Sequence, residues 1–244
     1  MDFEFMAETF PKLIAGVPVT LSLVGSSLVL GIVFAVILAQ MRLSKNLLLS
    51  KLAYAYVYVF RGTPLLVQIF LIYYGSGQFR EFFESVGLWY FLREPYFCAI
   101  LALTMNTAAY TSEIIRGGIQ SVPWGELEAG RAIGMSGVTL FRRIVFPIAI
   151  RQALPAYGNE IILMVKSTSL ASTITILEVT GIAKKIIATT YLTVEVFMIA
   201  GAIYLSINFI VTRGIRWIEV KLSPQLYRKR LAASKPKIDE VLAH

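Results

Sequence analysis

The sequence predicts an all-α membrane protein with five transmembrane helices, its N-terminus outside the cytoplasm and its C-terminus within. Three observations carry this. Of 244 residues, 57% are hydrophobic and 16% charged, and the mean hydropathy is +0.69, which is not the balance of a soluble domain. Uncharged runs at 13–41, 62–79, 95–112 and 196–212 approach the roughly 20 apolar residues that a helix needs to cross a bilayer. Finally, lysine and arginine cluster in alternate connections.

The first span, 14–41, follows an acidic flank, MDFEFMAE. A cleaved signal peptide would begin basic and carry a shorter apolar run. The second and third spans are placed at 52–75 and 95–116. The fourth, 144–165, is interrupted by Arg151, Asn159 and Glu160 but is otherwise rich in Ile, Leu, Val and Ala. The fifth is 194–217. Sixteen of the 23 Lys and Arg residues fall in the loop 42–51, the segment 116–151 and the tail from 213. Basic residues mark the cytoplasmic side, so these three segments face inward. The net charge of +8 then reads as a basic inner face against anionic headgroups, and nucleic acid is not needed as a partner. The chain divides into a membrane domain, 1–220, and a basic cytoplasmic tail, 221–244. A single cysteine, Cys98, excludes an internal disulfide.

Polar residues at membrane depth are costly and call for a partner or a water-filled path. In "FRGTPLLVQ", 60–68, Pro64 breaks the second span and frees carbonyls near Phe60. Thr63 and Gln68 either line a substrate-facing break or flank a simple proline kink, with Arg61 reaching for the interface. In "TMNTAAYTSEI", 104–114, Asn106, Tyr110 and Glu113 are spaced four and three residues apart, so one helical face carries all three. Glu113 either attracts a cationic group or pairs with Arg116. In "YGNEIILMVKSTSLAST", 157–173, Lys166, Ser167 and Thr168 either receive a carboxylate or anchor the interface. Asn159 and Glu160 read as structural partners of groups on neighbouring helices. Tyr54, Tyr56, Tyr58, Phe60, Tyr73 and Tyr74 read as interfacial aromatic belts.

The segment 125–147, "GELEAGRAIGMSGVTLFRRIVFP", is polar because it lies on the cytoplasmic side. Pro123 suits a first helical turn, and Glu126 and Glu128 suit the positive end of its dipole. Ala129, Gly130 and Ala132 give a small surface, and Gly134 and Gly137 end the helix. The stretch 138–143 leads into the fourth span. The chain has no phosphate-binding glycine loop, no dinucleotide motif, no metal-ligand spacing and no nucleophile–base set. If it depends on ATP, another chain hydrolyses it.

This segment resembles the EAA loop of ATP-binding-cassette (ABC) importer permeases: Glu128-Ala129-Gly130, then Gly134, then Ile144, then Phe146-Pro147, at the family's spacing. Gly130 replaces alanine and Phe146 replaces leucine. The remaining motifs, "FRGTPLLVQ", "NTAAYTSEIIRGGIQSVPWGE" and "LPAYGNEIILMVKSTSLAST", resemble the polar-amino-acid permeases, most of all the M-type subunit of the branch for histidine, basic amino acids, octopine and nopaline. The resemblance implies a type I ABC importer permease fold in the bacterial inner membrane, with a cytoplasmic coupling helix in the loop 121–147. It implies a second permease subunit, a cytoplasmic ATPase dimer that binds ATP and magnesium, and a periplasmic substrate-binding protein. This chain would hold no cofactor. Substrate would meet Thr63, Asn106, Glu113, Ser167 and Thr168, and Glu128, Ala129, Gly130, Gly134 and Pro147 would serve coupling. At the Ser167 position some relatives carry aspartate. The rival reading is a secondary transporter driven by an ion gradient, against which stand an odd span number and the lack of an inverted repeat.

Overall fold

The computed structural model describes residues 3–222, so all but the first two residues of the tail 221–244 lie outside it. Among the described residues there is no strand. The helices run α1 (Phe3–Ile14), α2 (Val17–Leu43), α3 (Leu47–Gly62), α4 (Leu65–Gln78), α5 (Arg80–Ser85), α6 (Trp89–Leu92), α7 (Pro95–Gln120), α8 (Trp124–Ala132), α9 (Gly137–Leu140), α10 (Phe146–Ser167), α11 (Val179–Thr190) and α12 (Thr193–Leu222). A π-helical turn, Phe141–Val145, joins α9 to α10, and a 3-10 segment, Thr168–Ile174, follows α10.

Two stretches are long and apolar enough to cross a membrane unaided, Glu4–Leu43 and Thr193–Leu222. Two bent pairs qualify if each counts as one span: α3 with α4, and Gly137–Ile174 with α11. The expected single span 52–75 is therefore two helices, with a bend of 103° between them. The cause is local. Thr63 precedes Pro64 and is extended (φ −116°, ψ 146°), because the proline ring crowds the helical conformation of the residue before it. Helix α7 is 26 residues long but is not one of these stretches, and its middle, 104–113, carries Thr, Asn, Tyr, Ser and Glu. It sits at the centre instead, packed against α2, α10, α4 and α3. Its buried residues include Ala99, Ala102, Ala108, Ala109, Thr111 and Ser112. Such small side chains let helices approach closely where no water drives them together.

The flank before the first span is itself helical. As α1, it packs against α11 and α12, with Leu13 and Thr9 fully buried. One face of α2 stays open, with Val29, Val33, Phe34 and Ile37 exposed, as suits lipid or a second membrane subunit. The tyrosines divide. Tyr54 and Tyr58 are exposed, as expected of a belt. Tyr56 turns inward and donates a hydrogen bond to the Met105 carbonyl at 2.9 Å.

Candidate functional site

The break between α3 and α4 is filled by one side chain. Gln68 is 6% exposed. Its Nε2 lies 2.9 Å from the Phe60 carbonyl, 3.1 Å from the Thr63 carbonyl and 2.8 Å from Thr63 Oγ1. The carbonyls freed by Pro64 thus find a donor inside the protein, as buried backbone groups must. Asn106 closes the cluster from α7: its Nδ2 donates to Gln68 Oε1 at 2.9 Å and reaches the Phe60 carbonyl at 3.4 Å. Thr63 is exposed, and its hydroxyl donates to the Val59 carbonyl at 2.8 Å. Four residues along α7 from Asn106, the Tyr110 hydroxyl approaches the Arg61 carbonyl at 3.5 Å, and the Arg61 guanidinium lies 5.1 Å over the Tyr110 ring. The polar face of α7 therefore faces the break.

Glu113 continues that face but belongs to a different cluster. Asn106 and Glu113 are seven residues apart, about 10 Å along the helix. The Glu113 side chain is 16% exposed and gripped from two directions. Arg116 Nη2 donates to Oε2 at 2.7 Å, and Arg116 Nε reaches both oxygens at 3.0 and 3.1 Å. Arg42, at the end of α2, donates to Oε1 at 3.3 Å and stacks over Tyr54. The pairing with Arg116 is therefore present, and a substrate cation arriving here must compete with two guanidinium groups.

Ser167 ends α10 half-buried, and Thr168 is fully buried, its hydroxyl donating to the Val165 carbonyl at 2.7 Å. The 3-10 segment that Thr168 opens packs against α4 and α7, the helices that carry Gln68 and Asn106. The structure so brings Thr63, Gln68 and Asn106 into one cluster, sets the Ser167–Thr168 segment beside the same helices, and leaves Glu113 apart. Lys166 is exposed. Glu160 pairs with a neighbouring helix, as its reading as a structural residue expects. It is 7% exposed and accepts a hydrogen bond from the Thr107 hydroxyl at 2.9 Å, across the α7–α10 contact, within electrostatic reach of Arg61.

Helix α8 lies at the far end of α7 from α6. Pro123 is its N-cap rather than its first residue. Glu128 is exposed and accepts a hydrogen bond from Trp124 Nε1 at 2.7 Å; Arg131 lies over the same indole. Ala129 is exposed, Gly130 buried. A Cβ on Gly130 would meet Leu140 Cδ1 at 2.4 Å and Ile144 Cδ1 at 2.8 Å. Alanine would fit there only if those two side-chain ends moved. Gly134 stops α8 with φ +78°. Its N–H bonds the Arg131 carbonyl at 2.9 Å, and the Met135 N–H bonds the Gly130 carbonyl at 3.1 Å, the paired closure of a Schellman turn. Gly137 does not end this helix; it begins α9, which Ser136 caps. Pro147 accounts for the π turn that follows. The Phe146 N–H bonds the Phe141 carbonyl five residues back, and the wider turn makes room for a ring that lacks a donor and crowds the preceding turn. From Gly137 to Ile174 the chain is a single helical run.

The profile of the family described as "Binding-protein-dependent transport system inner membrane component" matches residues 31–224. The chain is 63% identical over 240 residues to the nopaline transport system permease protein NocM of Agrobacterium fabrum, covering 98% of this chain and 99% of that protein. It is 56% identical to the octopine transport system permease protein OccM of Rhizobium radiobacter, with 94% of each chain covered. It is 43% identical to the arginine ABC transporter permease protein ArtM of Escherichia coli K12, covering 88% of this chain and 96% of that one. Among solved structures, that of an amino acid ABC transporter with histidines superposes with a TM-score of 0.80 at 33% identity, covering 91% of this chain and 99% of the other. The MetNI methionine ABC transporter shares the fold at a TM-score of 0.68 and 18% identity, with 88% and 98% covered. A match of this extent, on an all-helical chain with long apolar helices, places the protein in the family: the chain belongs to the inner membrane components of binding-protein-dependent transport systems.

Proposed function

We propose that the chain is a permease subunit of an ATP-driven importer for a polar amino acid of the basic or opine class, such as nopaline, octopine or arginine. The observation that carries this is the continuity of the helical run from the α8 end of the bundle to the polar segment at Ser167. A helix is stiff along its axis. Displacement of α8, with Gly130 packed on Leu140 and Ile144, is conveyed through α9, the π turn at Pro147 and α10 to Ser167 and Thr168. In this reading Glu128, Ala129 and Gly134 present the docking surface for a cytoplasmic ATPase dimer, which binds ATP and magnesium, and the buried Gly130 serves coupling by seating α8 on Leu140 and Ile144. Thr63, Asn106, Ser167 and Thr168 supply hydrogen bonds to the substrate, and Glu113 faces its cationic end. Five crossings place the N-terminus in the periplasm and the tail in the cytoplasm. A second permease chain, similar but not identical, completes the pathway, and a periplasmic binding protein delivers the substrate. The relatives named for nopaline, octopine and arginine transport support the substrate class.

The test is uptake into vesicles containing the reconstituted complex. Labelled nopaline, octopine and arginine are supplied with their binding protein. ATP-dependent accumulation of at least one is expected. Uptake that persists without ATP and collapses with a protonophore would point to a secondary transporter instead.

Glu113→Gln separates the two roles of that carboxylate. As a substrate group, its loss should lower uptake of a cationic substrate by about tenfold to a hundredfold, the range for one charged hydrogen bond. The alternative role is a tie between α2 and α7 through Arg42 and Arg116. Then the variant melts lower by several degrees while uptake per folded complex is unchanged. Unchanged uptake removes Glu113 from the substrate site.

A further inference from the structure

Glu178 is fully buried, 0% exposed, just beyond the segment that Ser167 and Thr168 begin. Burial of a carboxylate is tolerable only when its oxygens are well supplied with donors, and here they are. Oε1 accepts the Gly181 N–H at 2.8 Å, capping α11, and the Thr180 N–H adds a further backbone contact. Oε2 accepts the Tyr204 hydroxyl from α12 at 2.5 Å. That bond uses the phenol's one proton. In the 3.1 Å contact between Tyr204 and Thr180, Thr180 is therefore the donor. Thr168 borders the same phenol. One tyrosine thus meets the turn before α11, the first turn of α11 and the first residue of the 3-10 segment.

The turn itself leaves little slack. Thr175 is left-handed, with φ +70°, a conformation that a β-branched residue adopts only when its surroundings hold it there. A Cβ on Gly181 would lie 2.0 Å from the Ile176 carbonyl oxygen, and one on Gly16 would lie 2.7 Å from the Val179 nitrogen. The α1–α2 corner and the start of α11 therefore clamp the turn from two sides. Tyr204 supplies the third hold and connects it to α12, which also packs along α10.

We propose that Tyr204 and Glu178 are a positioning pair for the transport site. Together they hold the Thr168–Ile174 segment in register with α12, so that motion carried along α10 moves Ser167 and Thr168 against a fixed frame. The proposal rests on the reading above that these two residues meet the substrate. Neither member of the pair touches the substrate itself.

The test uses the complete complex, with its ATPase and binding protein, in proteoliposomes. The readout is substrate moved per ATP hydrolysed, alongside binding-protein-stimulated ATPase and melting temperature. Tyr204→Phe keeps the ring and removes the hydroxyl. It should assemble and hydrolyse ATP at close to the wild-type rate while transport per ATP falls about tenfold, the scale of one charged hydrogen bond. Glu178→Gln keeps one acceptor oxygen, which can cap α11 while its NH2 donates to the Tyr204 oxygen in place of the accepted bond; it should lower the same ratio less than Tyr204→Phe does. Should Tyr204→Phe fail to assemble, Thr180→Val removes one donor to the phenol and should lower the same ratio by a few-fold. An unchanged ratio in the variant that assembles overturns the pair, as does a fall in transport, ATPase and melting temperature together, which would mark a merely structural role. A wild-type complex that moves no amino acid overturns the transport reading as well, a result distinct from failure of the variants alone.

Discussion

Gly134→Asp is expected to leave the protein inserted in the membrane and to abolish ATP-driven uptake. Nothing lies within 4 Å of the Cβ position at Gly134, so the new side chain has room within this chain. The consequences fall on the end of α8. With φ at +78°, any side chain strains the turn by about 1–2 kcal/mol. A carboxylate there also meets the negative end of the helix dipole, at a further cost of roughly 0.3–1 kcal/mol. Together these are enough to loosen the closure made by the Gly134 and Met135 N–H groups on Arg131 and Gly130. They also place a charge on the face that α8 would offer the proposed ATPase partner. Co-purification of the ATPase should fall with uptake, while the amount of permease in the membrane stays constant. Gly134→Ala, which brings strain without charge, should give an intermediate loss. Full uptake by the aspartate variant would remove α8 from the coupling path.

Gln68→Leu is expected to be the most destabilising single change near the break between α3 and α4. Leucine approximates the volume of glutamine but donates nothing. The Phe60 carbonyl would keep only the 3.4 Å contact from Asn106, and the Thr63 carbonyl would lose its bond from Gln68. Asn106 would lose the shorter of its two contacts, that to Gln68 Oε1. Each buried group left unpaired costs about 1–3 kcal/mol. A total near 3 kcal/mol corresponds to roughly 6–12 °C in melting temperature for a chain of this length. Thr63→Val, at an exposed position, should shift it far less. A melting temperature unchanged in Gln68→Leu would mean that water or a partner subunit satisfies the break, and Gln68 would no longer be the donor that the freed carbonyls depend on.

The local devices of this fold were legible in the chain. Pro64 announced a broken helix and the need of the Phe60 carbonyl for a new donor. Gly134 announced the end of α8, and the spacing from Glu128 to Pro147 carried the family resemblance. The 3.6-residue period placed Asn106, Tyr110 and Glu113 on one face, and all three do face the α2–α4 side of the molecule. Less legible were the sharpness of the α3–α4 bend and the helical nature of the acidic flank. Gly137 was misread as a stop when Ser136 in fact starts a new helix there. These turn on how strongly neighbours hold a segment, which a local pattern does not express.

The sequence by itself determined the break at Pro64 and the stop at Gly134, because proline and glycine act on the backbone within a few positions. It also determined the membrane character and the family, because composition and motif spacing are one-dimensional. Only the tertiary structure decided which polar groups meet. Arg42 reaches Glu113 across 71 residues, Thr107 reaches Glu160 across 53, and Tyr204 reaches Glu178 across 26. Each pairing joins two helices, and whether a buried carboxylate faces a substrate path or a partner depends on the rotation and approach of both. Helix packing sets these, and no short stretch of either helix encodes them.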